Sequence, residues 1–177
     1  ANDVLSPGDQ VRTGAGSEAL LLFSNGSTLT VGPGSQMRID GFVQEEFEGS
    51  DQKVGSLAAE VSSSRIKLDL EVGELVIGVK KLDKESSLII STSMGIAGVR
   101  GTQFKVAADK DLTSVSVLSG AVDFKGLNNE MRSIAKETKV EATKDALSQA
   151  VAIPAVDKAR IEAAQKTAKQ KTGDVPL

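Results

Sequence analysis

The stretch Gly95-Ile-Ala-Gly98-Val-Arg100-Gly101-Thr102-Gln-Phe104-Lys-Val106 sets three glycines around an arginine and then passes straight into alternating apolar residues. That period of two predicts a β-strand, with the glycines as the turn that feeds it. The spacing of Gly95, Gly98 and Gly101 is superficially that of a dinucleotide-binding loop, but such a loop must open into a helix whose N-terminus holds the pyrophosphate. Strand alternation follows instead, which argues against nucleotide binding. If Thr102, Phe104 and Val106 share an inward face, parity places Arg100 on that face too, unless Gly101 is a bulge that resets the phase. An inward guanidinium keeps its charge and needs a carboxylate or several carbonyls. Two readings stand: a structural clamp in which Arg100 pairs with Asp9 or Glu74, and a contact to an anionic ligand. The clamp is preferred, since buried charges are normally paired.

Composition narrows the chemistry. The 177 residues fit one domain, or one domain with an appendage. There is no cysteine and no histidine, which removes disulfides, thiolate nucleophiles, Ser-His-Asp catalysis, imidazole metal sites and a histidine pH switch. No catalytic residue, metal ligand or cofactor is therefore assigned. Tyrosine and tryptophan are also missing, leaving Phe23, Phe42, Phe47, Phe104 and Phe124 as the only aromatics. Four of these lie in alternating apolar patterns and are expected in the core. Without exposed stacking platforms, and with a net charge of −3, nucleic acid and anionic lipid are not expected as partners. The longest apolar run, Ala19 to Phe23, is far short of the roughly 20 residues that span a bilayer. The start at Ala1-Asn-Asp without methionine is consistent with removal of a signal peptide, and hence with export.

Residues 4–40 read as a β-meander. Turns are expected at Gly8-Asp9 and Gly14 to Ser17, and a type I′ hairpin at Asn25-Gly26. Glu45, Glu46, Glu48 and Asp51 form an acidic cluster that lacks calcium-loop spacing and reads as a solvated loop. Ile66, Leu68, Leu70 and Val72 alternate with Lys67, Asp69 and Glu71, and a turn is expected at Gly73. Asp69 and Glu71 share one strand face, a spacing acid/base catalysis could use, although an outward charged strip is preferred. The pattern aliphatic-x-x-Gly-then-aliphatic recurs at Gly8, Gly73 and Gly120, which suggests one repeated corner between stacked short strands. Met131 to Ile134 and Thr138 to Ala142 are expected to form a last hairpin. Beyond Ala142 the composition turns alanine- and lysine-rich, with helices expected over Asp145 to Ile153 and Ala155 to Lys171. The latter has few large apolar residues, so it lies on the strands, pairs with a partner or acts as a tether.

Laid out this way, the chain from Leu5 to Phe124 resembles the FecR family. The resemblance rests on Leu5-x-x-Gly8-Asp9-x-Val11-x-Thr13-Gly14, on Ser17-x-Ala19-x-Leu21-x-Phe23-x-Asn25-Gly26-Ser27-x-Leu29, and on Ile90 through Val106 with its Arg100-Gly101-Thr102 block. It implies an all-β, twisted solenoid-like stack without catalysis. In the family's sigma regulators, a cytoplasmic helical domain holds the sigma factor, a membrane helix follows, and a C-terminal lobe meets the receptor. Met94 stands where the family often has proline. No anti-sigma segment, membrane helix or mixed receptor-binding lobe is read in this chain, so it is not expected to signal across a membrane alone.

The expectation is an all-β solenoid-like stack or sandwich over residues 1–142, with a helical extension over 143–177. It is expected to work in the periplasm or outside the cell as a non-enzymatic module that grips a protein partner. The alternatives are an envelope-side regulator of a sigma factor system and a polysaccharide-binding or polysaccharide-acting β-solenoid. The residues that carry the family signature are Gly8, Asp9, Gly14, Gly26, Gly73, Glu74, Gly95, Gly98, Arg100, Gly101, Thr102 and Gly120, and their expected role is structural.

Overall fold

A computed structural model of the chain describes residues 3–47, 52–99 and 101–176. Its alternating stretches form 13 strands joined in one curled sheet. The front half runs in the order β1 (Gln10–Arg12), β4 (Gln36–Gln44), β5 (Ser64–Gly78), β6 (Ser87–Thr92), β7 (Gly95–Val99), β10 (Ala121–Gly126) and β11 (Met131–Ala135). The back half runs β2 (Ala19–Leu22), β3 (Thr28–Val31), β5 again, β8 (Gln103–Ala108), β9 (Thr113–Ser119), β12 (Thr138–Ala142) and β13 (Val151–Ala152). Both halves contribute to a single apolar core that includes Leu29, Leu68, Leu75, Phe104, Val117 and Phe124. The protein is mostly β with one C-terminal helix, α1 (Ala155–Thr172), the second of the two helical stretches expected there.

Strand β5 belongs to both halves. Its first part pairs with β4 and β6, and its second part pairs with β3 and β8. The exchange occurs at Gly73, whose φ of +104° is open only to glycine without strain. The expected turn is therefore a sheet-switching point inside a continuous strand. It also resets the alternation: Ile66, Leu68 and Leu70 face the core before it, Leu75 and Ile77 after it. Val72, expected inward, is instead 41% exposed because it sits at the point of that reset. Since β5 ends in the back half, residues 79–86 carry the chain back to the front, and β6 pairs with β5 in parallel, Leu68 opposite Ile90.

The chain crosses between halves repeatedly, and Gly120 marks another crossing, from β9 to β10. A Cβ there would stand 2.7 Å from the Gly101 carbonyl oxygen and 2.8 Å from Thr102 Oγ1. Neighbouring crossings pass so closely that a side chain would not fit. The same logic corrects the expected last hairpin. β11 and β12 occupy their expected positions, but β11 pairs with β10 and β12 with β9, and the Lys136-Glu137 turn carries the chain from one half to the other.

The expected type I′ turn at Asn25-Gly26 is a longer loop. Gly26 has φ +84° whereas Asn25 does not adopt positive φ, and the Gly26 N–H donates to the Phe23 carbonyl at 2.9 Å. A three-residue loop closed by left-handed glycine is the next commonest hairpin connection. Asn25 is fully buried, where Oδ1 accepts the Ser27 N–H at 2.9 Å and Nδ2 donates to Ser64 Oγ at 2.9 Å. Asn25→Gly, which a type I′ turn would tolerate, is expected to cost about 1–3 kcal/mol by leaving those buried groups unsatisfied. Urea unfolding of the variant checks this.

Of the five phenylalanines, Phe23, Phe104 and Phe124 are buried, and Phe42 is partly buried with its ring centroid 5.7 Å from that of Phe23. Asp145 to Ile153, expected as helix, forms loop and the short strand β13. Its backbone groups serve neighbouring strands instead, as where the Ser148 N–H donates to the Glu141 carbonyl at 2.8 Å.

Candidate functional site

Helix α1 lies across the outer face of the back half and defines the most unusual chemistry among the described residues. Its buried stripe is Asp157, Ile161, Ala164, Ala168 and Thr172. Only Ile161 is a large apolar side chain, and it packs with Ala164 on Val76, the β5 residue that points away from the main core. Small alanines let the helix approach the strands closely, but they bury little area, so the apolar contribution to docking is modest.

Charge fills the gap. Lys105 of β8 projects from the outer face, where its Nζ lies 2.6 Å from Asp157 Oδ1 and 3.3 Å from Glu74 Oε2. Ser116 of β9 donates its hydroxyl to Asp157 Oδ2 at 2.6 Å. Arg160, one turn along α1, donates Nε–H to Glu74 Oε1 at 2.6 Å. Its Nη2 lies 2.5 Å from Glu18 Oε1, an ion pair that lacks hydrogen-bond geometry. The Lys105 and Asp157 side chains are only 12% and 8% exposed. The result is a seam, Glu18–Arg160–Glu74–Lys105–Asp157–Ser116, in which acids and bases alternate and each carboxylate has a cation beside it. Buried charges are tolerated on these terms.

Burial pushes the Asp157 carboxyl up, but the hydrogen bonds from Lys105 and Ser116, with the charges of Lys105 and Lys139, outweigh it and hold the group below its ordinary value. The unfolded chain then binds the extra proton in that range, so stability rises with pH. The contribution is complete above the ordinary carboxylate pKa of about 3.9 and is lost as pH falls through the lower folded value. Asp157→Asn is accordingly expected to be less stable than wild type at pH 7, with the gap closing towards pH 3. Urea midpoints at the two pH values check it, and parallel shifts would count against the seam.

The helix is held at its far end as well. The Gly55 N–H donates to the Gly173 carbonyl at 2.9 Å, and the Val54 N–H to the Val175 carbonyl at 3.0 Å. Lys53 Nζ lies 2.8 Å from Asp174 Oδ1.

The residues singled out in the sequence fall mostly at corners. Asp9 accepts the Ser6 N–H at 2.7 Å while the Gly8 N–H donates to the Ile39 carbonyl at 2.7 Å, tying the N-terminal turn to β4. The Gly14 carbonyl accepts the Ser17 and Gly34 N–H groups, each at 3.1 Å. Gly95 and Gly98 sit in β7 opposite Gly126 and Asp123. Thr102 is buried and donates Oγ1–H to the Ala121 carbonyl at 3.0 Å, and its own carbonyl accepts the Val79 N–H at 2.9 Å, so the Gly101-Thr102 corner ties strands of both halves together. Arg100 lies outside the described residues. So do Glu48 and Asp51 of the acidic cluster. Of the partners expected for Arg100, Glu74 is engaged by Lys105 and Arg160. Asp69 and Glu71 lie on the outer face of the front half, Asp69 Oδ2 3.7 Å from Arg38 Nη2 and Glu71 hydrogen-bonded by the Gln36 side-chain amide.

Sequence reasoning missed Lys105, Ser116, Asp157 and Arg160. Their signal was present in part: Ser114 and Ser116 alternate with valines in a strand whose two faces are both buried, which implies a second layer. Among the described residues no cluster of three or more His, Cys, Asp or Glu is placed to hold a metal ion. No helix among them is long and apolar enough to cross a membrane.

Comparison with known proteins places this geometry. No curated protein matches the sequence. Two crystal structures of a proposed anti-sigma factor from Parabacteroides distasonis superimpose on the chain, each with a TM-score of 0.61 and 18% identity, covering 83% of this chain and 61% of that one. The chain thus spans 61% of that relative's length, and at such identity the likeness establishes the shared fold. The pattern of the family described as FecR protein matches residues 9–123, from the N-terminal corner to β10. The chain with the sheet-switching strand and the Gly101-Thr102 corner belongs to the FecR protein family.

Proposed function

We propose that this chain is a non-catalytic FecR-type module that binds a protein partner in the cell envelope, as part of a sigma-regulator signalling system. The observation that carries the reading is the family pattern over residues 9–123, which takes in most of the curled sheet. The fold shared with a proposed anti-sigma factor favours the signalling version over the polysaccharide-binding or polysaccharide-acting one.

In this reading the corners are turns of a twisted, solenoid-like stack over residues 1–142, the signature glycines keep those turns close, and residues 143–177 form an extension that closes one face. The module works in the periplasm or outside the cell. Crosslinking in the native envelope followed by mass spectrometry, together with a sigma-dependent reporter in a strain lacking the protein, tests the proposal. A single reproducible protein partner and a changed reporter are expected. An unchanged reporter with no crosslinked protein would overturn it.

A further inference from the structure

A groove of about 460 Å³ lies between the C-terminal half of α1, the Val54–Ser56 turn and the ends of β3 and β5. Lys80, Lys166 and Lys169 line it together with the amides of Gln103 and Gln165, and no carboxylate is among its lining residues. In a chain of net charge −3, three lysines lining one groove with no acid among the described lining residues are a local inversion of sign. Burial, and then the charge of Lys169, hold the Lys80 ammonium below the usual lysine range. Lys80 Nζ donates a hydrogen bond to the Leu57 carbonyl at 2.9 Å, one of the three an ammonium can make. Elsewhere in the fold the inward cation Lys105 is balanced by Glu74 and Asp157, whereas these lysines have no such counterpart among the groove's lining residues.

The remaining lining selects among anions. Gln103 and Gln165 each offer a donor and an acceptor, the combination a peptide main chain satisfies and a simple inorganic anion does not. Gly26, Gly55, Gly78 and Gly173 also line the groove, each packed against this chain's own atoms, with the Gln165 side chain over Gly78, so the groups left to meet a ligand are those of the lysines and glutamines. The volume falls in the range of sites that enclose a small ligand or a short peptide segment. We propose that this groove binds an extended acidic segment of a protein partner, with Lys80, Lys166 and Lys169 meeting its carboxylates and the two glutamines its backbone. This deepens the interaction role proposed above and rests on it.

The test uses the full chain and a short fluorescein-labelled peptide alternating glutamate with serine, read by fluorescence anisotropy. Binding is expected, weakening as salt rises. Lys80→Gln/Lys169→Gln is expected to weaken it roughly tenfold or more through the loss of two charge contacts, with the melting temperature measured alongside. Lys110→Gln/Lys125→Gln, which changes net charge equally on other surfaces, is expected to leave affinity within about twofold. No binding to the wild-type chain, equal weakening by the two double variants, equal affinity for the glutamine-serine peptide, or displacement by equimolar phosphate would each overturn the groove assignment. A native crosslinked partner that persists in Lys80→Gln/Lys169→Gln would refute the groove while leaving the interaction role intact. Absence of any partner in the wild-type envelope would remove the role itself.

Discussion

Gly73→Ala is expected to lower the melting temperature by roughly 10 °C. Two costs act at one position. The backbone holds φ +104°, which an L-residue adopts only with strain of about 1–3 kcal/mol. The added Cβ would also stand 2.5 Å from Ser35 Cα, backbone that cannot swing aside as a side-chain tip could. Ser35 is itself fixed, because its Oγ accepts the Glu74 N–H at 2.9 Å and its N–H donates to Thr13 Oγ1 at 2.9 Å. Relief of the clash would therefore pull β4 away from β5 or break that corner. Gly98→Ala is the control: its φ is not positive and its nearest contact would be the Asp123 carbonyl at an ordinary 3.8 Å, so a change of under about 1 kcal/mol is expected. Thermal unfolding followed by circular dichroism separates the two, and equal melting temperatures would mean that the sheet exchange at Gly73 is not constrained as described.

Lys105→Met should be nearly as damaging, at about 3–5 kcal/mol, because it strips the cation from between two poorly exposed carboxylates. Glu74 keeps Arg160, but among the described residues Asp157 keeps only the Ser116 hydroxyl as a direct partner. Pairing the substitution with Asp157→Leu removes the stranded charge and is expected to recover more than half of the loss, since apolar replacement of a buried ion pair is often close to neutral. Additive losses in the double variant would show that the two side chains act independently. Limited proteolysis would add a local readout. In Lys105→Met the α1 segment should become cleavable before the strands do, because Ile161 and its alanines bury too little apolar surface to hold it alone.

The strands were legible wherever a side-chain period of two coincides with one buried face, as at Ile66, Leu68 and Leu70 and across Val122 and Phe124. What escaped was where each strand finds its neighbours. Nothing local in Ser64–Gly78 says that the strand changes sheets. Apolar residues recur on both sides of Gly73, and only the shift from even to odd inward positions betrays the reset. The turn at Lys136-Glu137 likewise joins strands that never pair, because the partners waiting in β9 and β10 are set by the earlier crossing at Gly120. The charge seam was hidden for a related reason. Lys105 meets Asp157 across 52 positions and Glu74 meets Arg160 across 86, distances over which a pattern of residues carries no information. The helix itself was readable at Ala155–Thr172, and its shortage of large apolar residues already pointed to something other than oil beneath it.

Strand β5 is a shared wall, and a shared wall forbids independent rooms. Severing the chain at Gly73 should not release two autonomous pieces, since each fragment would keep only part of the member both need for closure. Recombined fragments could regain order only by docking across the cut, and the slowest-exchanging amides should sit along that wall in both directions from Gly73. A cell that translates this protein therefore gains no finished substructure until β8 and β9 have emerged to complete what β5 begins.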